Sequence, residues 1–298
     1  MHNRTYNCIH VGATVDIFSD DENKQFKGLY FQDDNMKQCF HSYPEVVFLD
    51  ATYKLLEIGI PIYILLCEDS NGMSEVVFVC LLVTEDQESI TWMLDTFKKR
   101  NAFWSKIGVV MADKDIGERD AVKSALPSAS VLICLFHALR TFRREVSCEK
   151  LGITSGQRTF SLEIFQKMAY CCSKEDYFKL YRELREGAPK QVVDYFCNNW
   201  HDLKSEWVLH YKAMSGSFLN STNNRLESFN GKLKQVINRH SSLESFVKNF
   251  FVIISALRGE RNHKATIQFQ KVRVQVFDKG SPEKLYSQLA TYSLRFRV

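Results

Sequence analysis

The 298-residue chain is 45% hydrophobic and 25% charged, ordinary globular material able to bury roughly three quarters of its unfolded surface. A formal net charge of +4 permits DNA binding but falls well short of a nucleic-acid coating protein. No stretch reaches the ~18 uninterrupted apolar residues of a helical membrane span, and a soluble, intracellular protein is expected.

The first residues, MHNRTYNCIHVGATVD, carry no apolar run of the signal-peptide kind. Nine cysteines, set in surroundings such as FVCLLV and LICLF, read as reduced, buried thiols and not as a disulfide framework. Three extended runs then follow, EVVFLDATYKLL, GIPIYILLCED and SEVVFVCLLV, rich in β-branched residues and with SNG as a turn between the last two. They predict a three-stranded meander. Thr84 with Gln87 has capping spacing before the helix QESITWMLDTFKKR, whose Ile90, Met93, Leu94 and Phe97 share a face. KIGVVMAD is a short buried strand, ERDAVKSAL a second helix closed by Pro127, and SVLICLF the fifth strand.

The order β-β-β-α-β-α-β suits an RNase H-like α/β fold, a mixed five-stranded sheet flanked by helices, although other α/β arrangements share it. Beyond His137 the texture is helical through ALRTFRREV, SLEIFQKMAYC, SKEDYFKLYRELRE and KQVVDYFCNNW, and a last strand is expected at KVRVQVF. The predicted division is an N-terminal extension over 1–27, the first part of the sheet domain over 28–140, a helical insertion over 141–215, and the rest of the sheet domain over 216–298. The helical block is expected to pack as a lobe of its own.

Three acids stand out. Asp50 interrupts the apolar strand VVFLDATY, where an ionised carboxylate costs several kcal/mol unless it is hydrogen-bonded, paired or metal-bound. A structural Asp held by a hydroxyl such as Thr52 is the competing explanation. In MADKDIGERD, Asp115 and Glu118 have capping-box spacing. Asp113 is not consumed by that role and sits at a strand end, where α/β sheets place their chemistry. In TNNRLESFNGKLK, Leu226, Phe229, Leu233, Val236 and Ile237 form an apolar stripe with Glu227 just off it. Asn224 and Glu227 fit a capping box, so this segment alone leaves Glu227 open between a cap and a site residue. Three converging carboxylates repel unless a dication neutralises them, and Mg²⁺, with hard oxygen ligands, meets that need.

These stretches resemble the Mutator-like DDE transposases, and especially the RNase H-like domain of the zinc-finger SWIM-domain proteins related to them. FHSYPEVVFLDATYK is similar to the family's first-Asp strand, and GVVMADKDIGERDAVKSALPSASVLICLFH to its second-Asp block with the following Cys-x-x-His. STNNRLESFNGKLK is similar to its Asn-x-x-Glu-Ser-x-Asn helix. The resemblance runs from about residue 28 to the end of the Glu227 helix. It implies a catalytic triad of Asp50, Asp113 and Glu227 holding two Mg²⁺ or Mn²⁺ ions, DNA as partner, a helical insertion between the second and third acids, and a nuclear location. Homo-oligomerisation is compatible with it; no membrane partner is expected. The alternative is a domesticated, catalytically silent nuclear scaffold that binds DNA or protein.

Cys134 and His137 have metal-ligand spacing, but no second pair completes a zinc site, so packing or support is the preferred reading. Arg140, Arg143 and Arg144, and around the Glu227 helix Arg225, Lys232, Lys234, Arg239 and His240, have the composition of phosphate-binding clusters. Solvated helix faces explain them equally well. Trp200 and Trp207 in NNWHDLKSEW are expected in a helical core before a base-stacking surface. Neither a SWIM-type Cys-x-Cys with a later Cys-x-His nor a paired N-terminal Cys/His finger appears in this sequence, so end-specific transposition by these residues alone is not expected.

Overall fold

The computed structural model describes residues 4–8, 12–20, 22–69, 72–114, 116–214, 224–237 and 240–279, without the side chains of 4–8, 116–118, 214, 224–228, 230, 268–269 and 271–279. The chain divides into two compact units, one of 1–43, 51–85 and 225–298, the other of 44–50 and 86–224.

The first unit is built on an antiparallel ladder. Strands β1 (Arg4–Cys8), β2 (Ala13–Ser19) and β3 (Phe26–Gln32) pair in succession. In chain order α1 (Asp34–Ser42) and β4 (Val46–Thr52) come next, followed by β5 (Ile62–Glu68) and β6 (Ser74–Leu82). β6 pairs with both β3 and β5, antiparallel in each case. β5 is apolar over Ile62–Cys67 and β6 over Val76–Leu82, which follows from burial on both faces. Tyr30 and Phe78 pack with ring centroids 5.0 Å apart.

The second unit carries a parallel ladder. β4 pairs with β7 (Val109–Ala112), and β7 with β8 (Ser130–Ile133). Helices α2 (Gln87–Arg100) and α3 (Ile116–Ala125) provide the crossovers. The order from β4 to β8 is the expected one. The sheet, however, is a mixed one of eight strands among the described residues, not five. The sequence reading passed over β1–β3 because their polar residues alternate with apolar ones, as in ATVDIFS, where Ala13, Phe18 and also Thr14 and Asp16 are buried.

Two further local expectations are corrected. The α2 cap is Asp86, whose carboxylate accepts from the Ser89 N–H at 2.8 Å, not Thr84. Asp86 directly precedes the first helical residue and has the better acceptor. The fifth strand ends at Ile133, since Leu135 already opens the helix α4 (Leu135–Glu145).

Helices α5 (Cys148–Leu151), α6 (Ser155–Ala169), α7 (Lys174–Gly187), α8 (Lys190–Phe196), α9 (Lys204–Trp207) and α10 (Leu209–Met214) follow, with a π-helical turn at Cys197–His201 between α8 and α9. Their apolar faces join Ile133 and Leu135 in one core around Phe142, which lies 4.4 Å from Trp200 and 4.7 Å from Phe165 between ring centroids. Trp200 and Trp207 are fully buried, as expected of core residues. Arg119 of α3, itself buried, pairs with Glu206 of α9, and Lys123 reaches the same carboxylate at 3.1 Å.

The last helices, α11 (Asn224–Val236) and α12 (Leu243–Lys279), return to the first unit. α12 absorbs KVRVQVF, which is helix and not strand. The β preference of alternating valines is a weak prior, and this run continues a helix that no proline interrupts. The corner between α11 and α12 is fastened to the segment after β4, where the Ser241 N–H donates to the Leu55 carbonyl at 2.9 Å and Glu57 N–H to Ser241 at 3.0 Å. Lys54 and His240 flank that bridge with φ of 64° and 58°. α12 is also held by charge. Arg258 meets Asp33 through both terminal nitrogens (3.1 and 3.2 Å) and Glu75 through Nε (2.8 Å), while Arg261 meets Glu75 at 2.6 Å. Asp33 also caps α1 by accepting from the Met36 N–H. No described helix is long and apolar enough to cross a membrane.

Candidate functional site

The parallel ladder of the second unit decides which acids meet. Val46, Val47 and Phe48 of β4 stand opposite Val109, Val110 and Met111 of β7. Two residues further on, that register sets Asp50 opposite Asp113. β7 and β8 are matched from Val109↔Ser130 to Ala112↔Ile133, and the next step sets Cys134 beside Asp113. The two acids and the cysteine therefore form a row across the ends of three parallel strands. Neighbouring strands are ~4.8 Å apart, and matched residues project from the same face. The local cause is plain in the sequence, since β7 and β8 are apolar runs that end one residue before Asp113 and Cys134, while Asp50 interrupts the apolar β4 two residues before its end.

Asp50 is partly buried, and the Asp113 side chain is 46% exposed. The Lys114 backbone N–H donates to Asp113 Oδ1 at 2.6 Å, and His137 Nδ1 lies 3.9 Å from the same oxygen. Both contacts are made to Oδ1. The Lys114 ammonium lies 4.5 Å from the centroid of the Trp200 ring. Burial first, and then the Arg119 guanidinium, lower its pKa from the ordinary lysine value against the pull of Asp113 and Glu145.

Cys134 is fully buried at the N-terminus of α4. Among the described residues no group of three His, Cys, Asp or Glu side chains forms a metal cluster. Two facing hard-oxygen donors are the donor set that Mg²⁺ or Mn²⁺ takes, with water or a further carboxylate completing the shell. Asp50 and Asp113 fit that requirement.

Glu227 lies in the first turn of α11, in the first unit, as the stripe predicted. Its side chain and those of Arg225 and Leu226, with the Asn224 cap, lie outside the described residues, as do Arg239 and the Asp115–Glu118 box. Phe229, Leu233 and Ile237 are buried, but Val236 is 48% exposed, so the stripe is narrower than expected. Arg140, Arg143 and Arg144 are exposed on α4, with Arg144 Nε 2.6 Å from Glu145. Lys232 lies 3.2 Å from Glu260, and Lys234 is exposed.

The sequence reading missed Lys212. This α10 lysine is fully buried, and its Nζ donates to the Ile133 carbonyl at 2.9 Å and lies 3.4 Å from Met111 Sδ. Burial lowers its pKa to about 8, against an opposing effect of Cys134. Below about pH 8 both folded and unfolded chains carry the ammonium, and the burial penalty is felt in full. Between there and the ordinary lysine value of 10.5 the folded chain loses its proton first. The stability set by this residue therefore rises with pH across that window and is flat above it. Urea unfolding at several pH values should show that slope reduced in Lys212→Met; an unchanged slope would mean that other groups cause it.

Residues 5–132 match the family described as Zinc finger SWIM domain-containing protein 1/3, RNaseH-like domain. The chain is 23% identical over 278 residues to Protein FAR-RED IMPAIRED RESPONSE 1 of Arabidopsis thaliana, covering 91% of this chain and 31% of that protein. It is 21% identical over 225 residues to the Transposase for insertion sequence element IS1201 of Lactobacillus helveticus, covering 67% of this chain and 55% of the transposase. The Putative protein FAR1-RELATED SEQUENCE 10 of Arabidopsis thaliana is 24% identical over 117 residues, which are 39% of this chain and 17% of that protein. The chain thus spans from under a fifth to about half the length of these relatives.

Proposed function

We propose that the chain, whose residues 5–132 match an RNase H-like domain of the zinc-finger SWIM kind, is transposase-derived, cleaves DNA phosphodiesters with divalent metal and transfers the freed 3′ end. The observation that carries the reading is the β4/β7 register, which sets Asp50 opposite Asp113. Asp50 and Asp113 would hold the ions, with Glu227 as the third carboxylate. Two bound Mg²⁺ or Mn²⁺ ions would activate the attacking oxygen and stabilise the leaving one.

The protein's own part is to hold and aim. The Lys114 N–H fixes one oxygen of Asp113, and His137 stands beside it on the first turn of α4. Water attack breaks one P–O bond and leaves a 3′-hydroxyl and a 5′-phosphate. That hydroxyl, losing its proton, then attacks a phosphodiester of the target and displaces another 3′-oxygen. DNA is the partner, the nucleus the location, and exposed Arg140, Arg143, Arg144 and Lys234, with Arg225 and the half-buried Lys232, the backbone-phosphate contacts.

A second reading, a catalytically silent nuclear scaffold for DNA or protein, differs from the first in whether the acids bind metal. Metal binding separates the two. Ligand binding to the native state raises apparent stability by mass action, so millimolar Mn²⁺ is expected to raise the thermal midpoint of the wild type and to raise that of Glu227→Gln much less. Equal shifts would make Glu227 a helix cap, and no shift in either would favour the scaffold.

A further inference from the structure

Lys114 joins the end of β7 to Trp200 of the helical block. Lys114 follows Asp113 directly and does two things at once. Its backbone N–H donates to Asp113 Oδ1 at 2.6 Å, and its ammonium lies 4.5 Å from the centre of the Trp200 ring. That ring is itself fixed. Trp200 is fully buried, its indole N–H donates to the Tyr195 hydroxyl at 3.1 Å, and its carbonyl accepts from the Trp207 indole N–H at 3.0 Å.

Trp200 lies in the π-helical turn Cys197–His201. Such turns are rare, poorer than α in hydrogen-bond geometry, and frequent at functional sites. Here the widened turn carries the residue whose ring meets Lys114. A partly desolvated ammonium over an indole face is held more firmly than an exposed one. A lysine free in solvent would sample many rotamers, and the peptide that grips Asp113 would be correspondingly less constrained.

We propose that Trp200 is a positioning residue for the metal-binding carboxylate: acting through Lys114, it fixes the rotamer of Asp113 and leaves Oδ2 turned toward the ion. This rests on the metal-binding reading above. The role is distinct from packing, because Trp200 already has its apolar neighbours in Phe142 and Trp207, and neither touches Lys114 among the described contacts.

The test is the affinity of the full chain for Mn²⁺, measured by titration calorimetry for the wild type, Lys114→Met, Lys114→Arg and Trp200→Phe, with thermal midpoints recorded alongside. Loss of a partner that orients a metal ligand typically costs 10–100-fold in affinity, so Lys114→Met should bind Mn²⁺ about tenfold more weakly or worse. The sign is informative. Removing a positive charge beside a cation site would by itself tighten binding, so weaker binding reports lost positioning. Lys114→Arg keeps a cation that stacks on the indole and should stay close to wild type, while Trp200→Phe, with a weaker π face and no charge change, should fall between.

Wild-type protein that does not bind Mn²⁺ overturns both this inference and the metal reading. Binding by wild type with Lys114→Met equal or tighter overturns the inference alone, as does a weaker Trp200→Phe beside an unchanged Lys114→Met. A lowered midpoint with unchanged affinity assigns Trp200 to packing only and equally overturns it.

Discussion

Arg258→Ala is expected to destabilise the first unit by roughly 3–5 kcal/mol, the usual cost of removing one partner from a buried ion pair. The side chains it would abandon, Asp33 and Glu75, are only 3% and 5% exposed. Asp33 keeps the Met36 N–H, and Glu75 keeps Arg261, so the loss belongs near the lower end of that range. Arg258 joins α12 to two separate elements, the cap of α1 and strand β6, and no other described residue bridges those two carboxylates. Lys248→Ala is the control. Lys248 pairs with Glu244 on the same helix at 2.8 Å but is 72% exposed, and such pairs are worth about 0.3–0.5 kcal/mol. Urea midpoints should separate the two variants clearly. An Arg258→Ala loss no larger than that of Lys248→Ala would mean that α12 is held by its apolar contacts alone.

Asp113→Asn is expected to abolish metal-dependent nicking of duplex DNA while leaving the protein folded. Asparagine keeps the size of the side chain and can still accept from the Lys114 N–H, but it removes the charge and the stronger ligand. Loss of an outer partner costs 10–100-fold, and loss of a direct ligand should exceed that. Folding should survive because Asp113 is half exposed at a strand end and lies outside the apolar core. Asp50→Asn should behave alike. Nicking by either variant at the wild-type rate would remove that acid from the site.

Much of this could be read from residue order, for physical reasons that differ by element. β4, β7 and β8 were visible because strands buried on both faces are continuous apolar runs, and an acid at the end of such a run has few structural explanations. The amphipathic helices were visible from their period, with Ile90, Met93, Leu94 and Phe97 all buried. β1–β3 were not, because half-buried strands mix polar residues into the pattern. KVRVQVF misled because local valine alternation was outweighed by the helix it continues. The Arg258–Asp33–Glu75 network joins residues up to 225 positions apart, and Lys212 contacts Met111 across 101. Neither leaves a local signature. Lys114 adjoined a candidate acid in plain view, yet its role depends on a tryptophan from the helical block, which only the fold brings near.

Anomalous diffraction from crystals soaked in Mn²⁺ tests the central claim most directly. A metal peak is expected ~2.0–2.3 Å from a carboxylate oxygen of Asp50 and from Asp113 Oδ2 together, at the ends of β4 and β7. A peak that contacts neither acid, or carboxylates roughly 8 Å or more apart and so beyond the span of a shared ion pair, would contradict it.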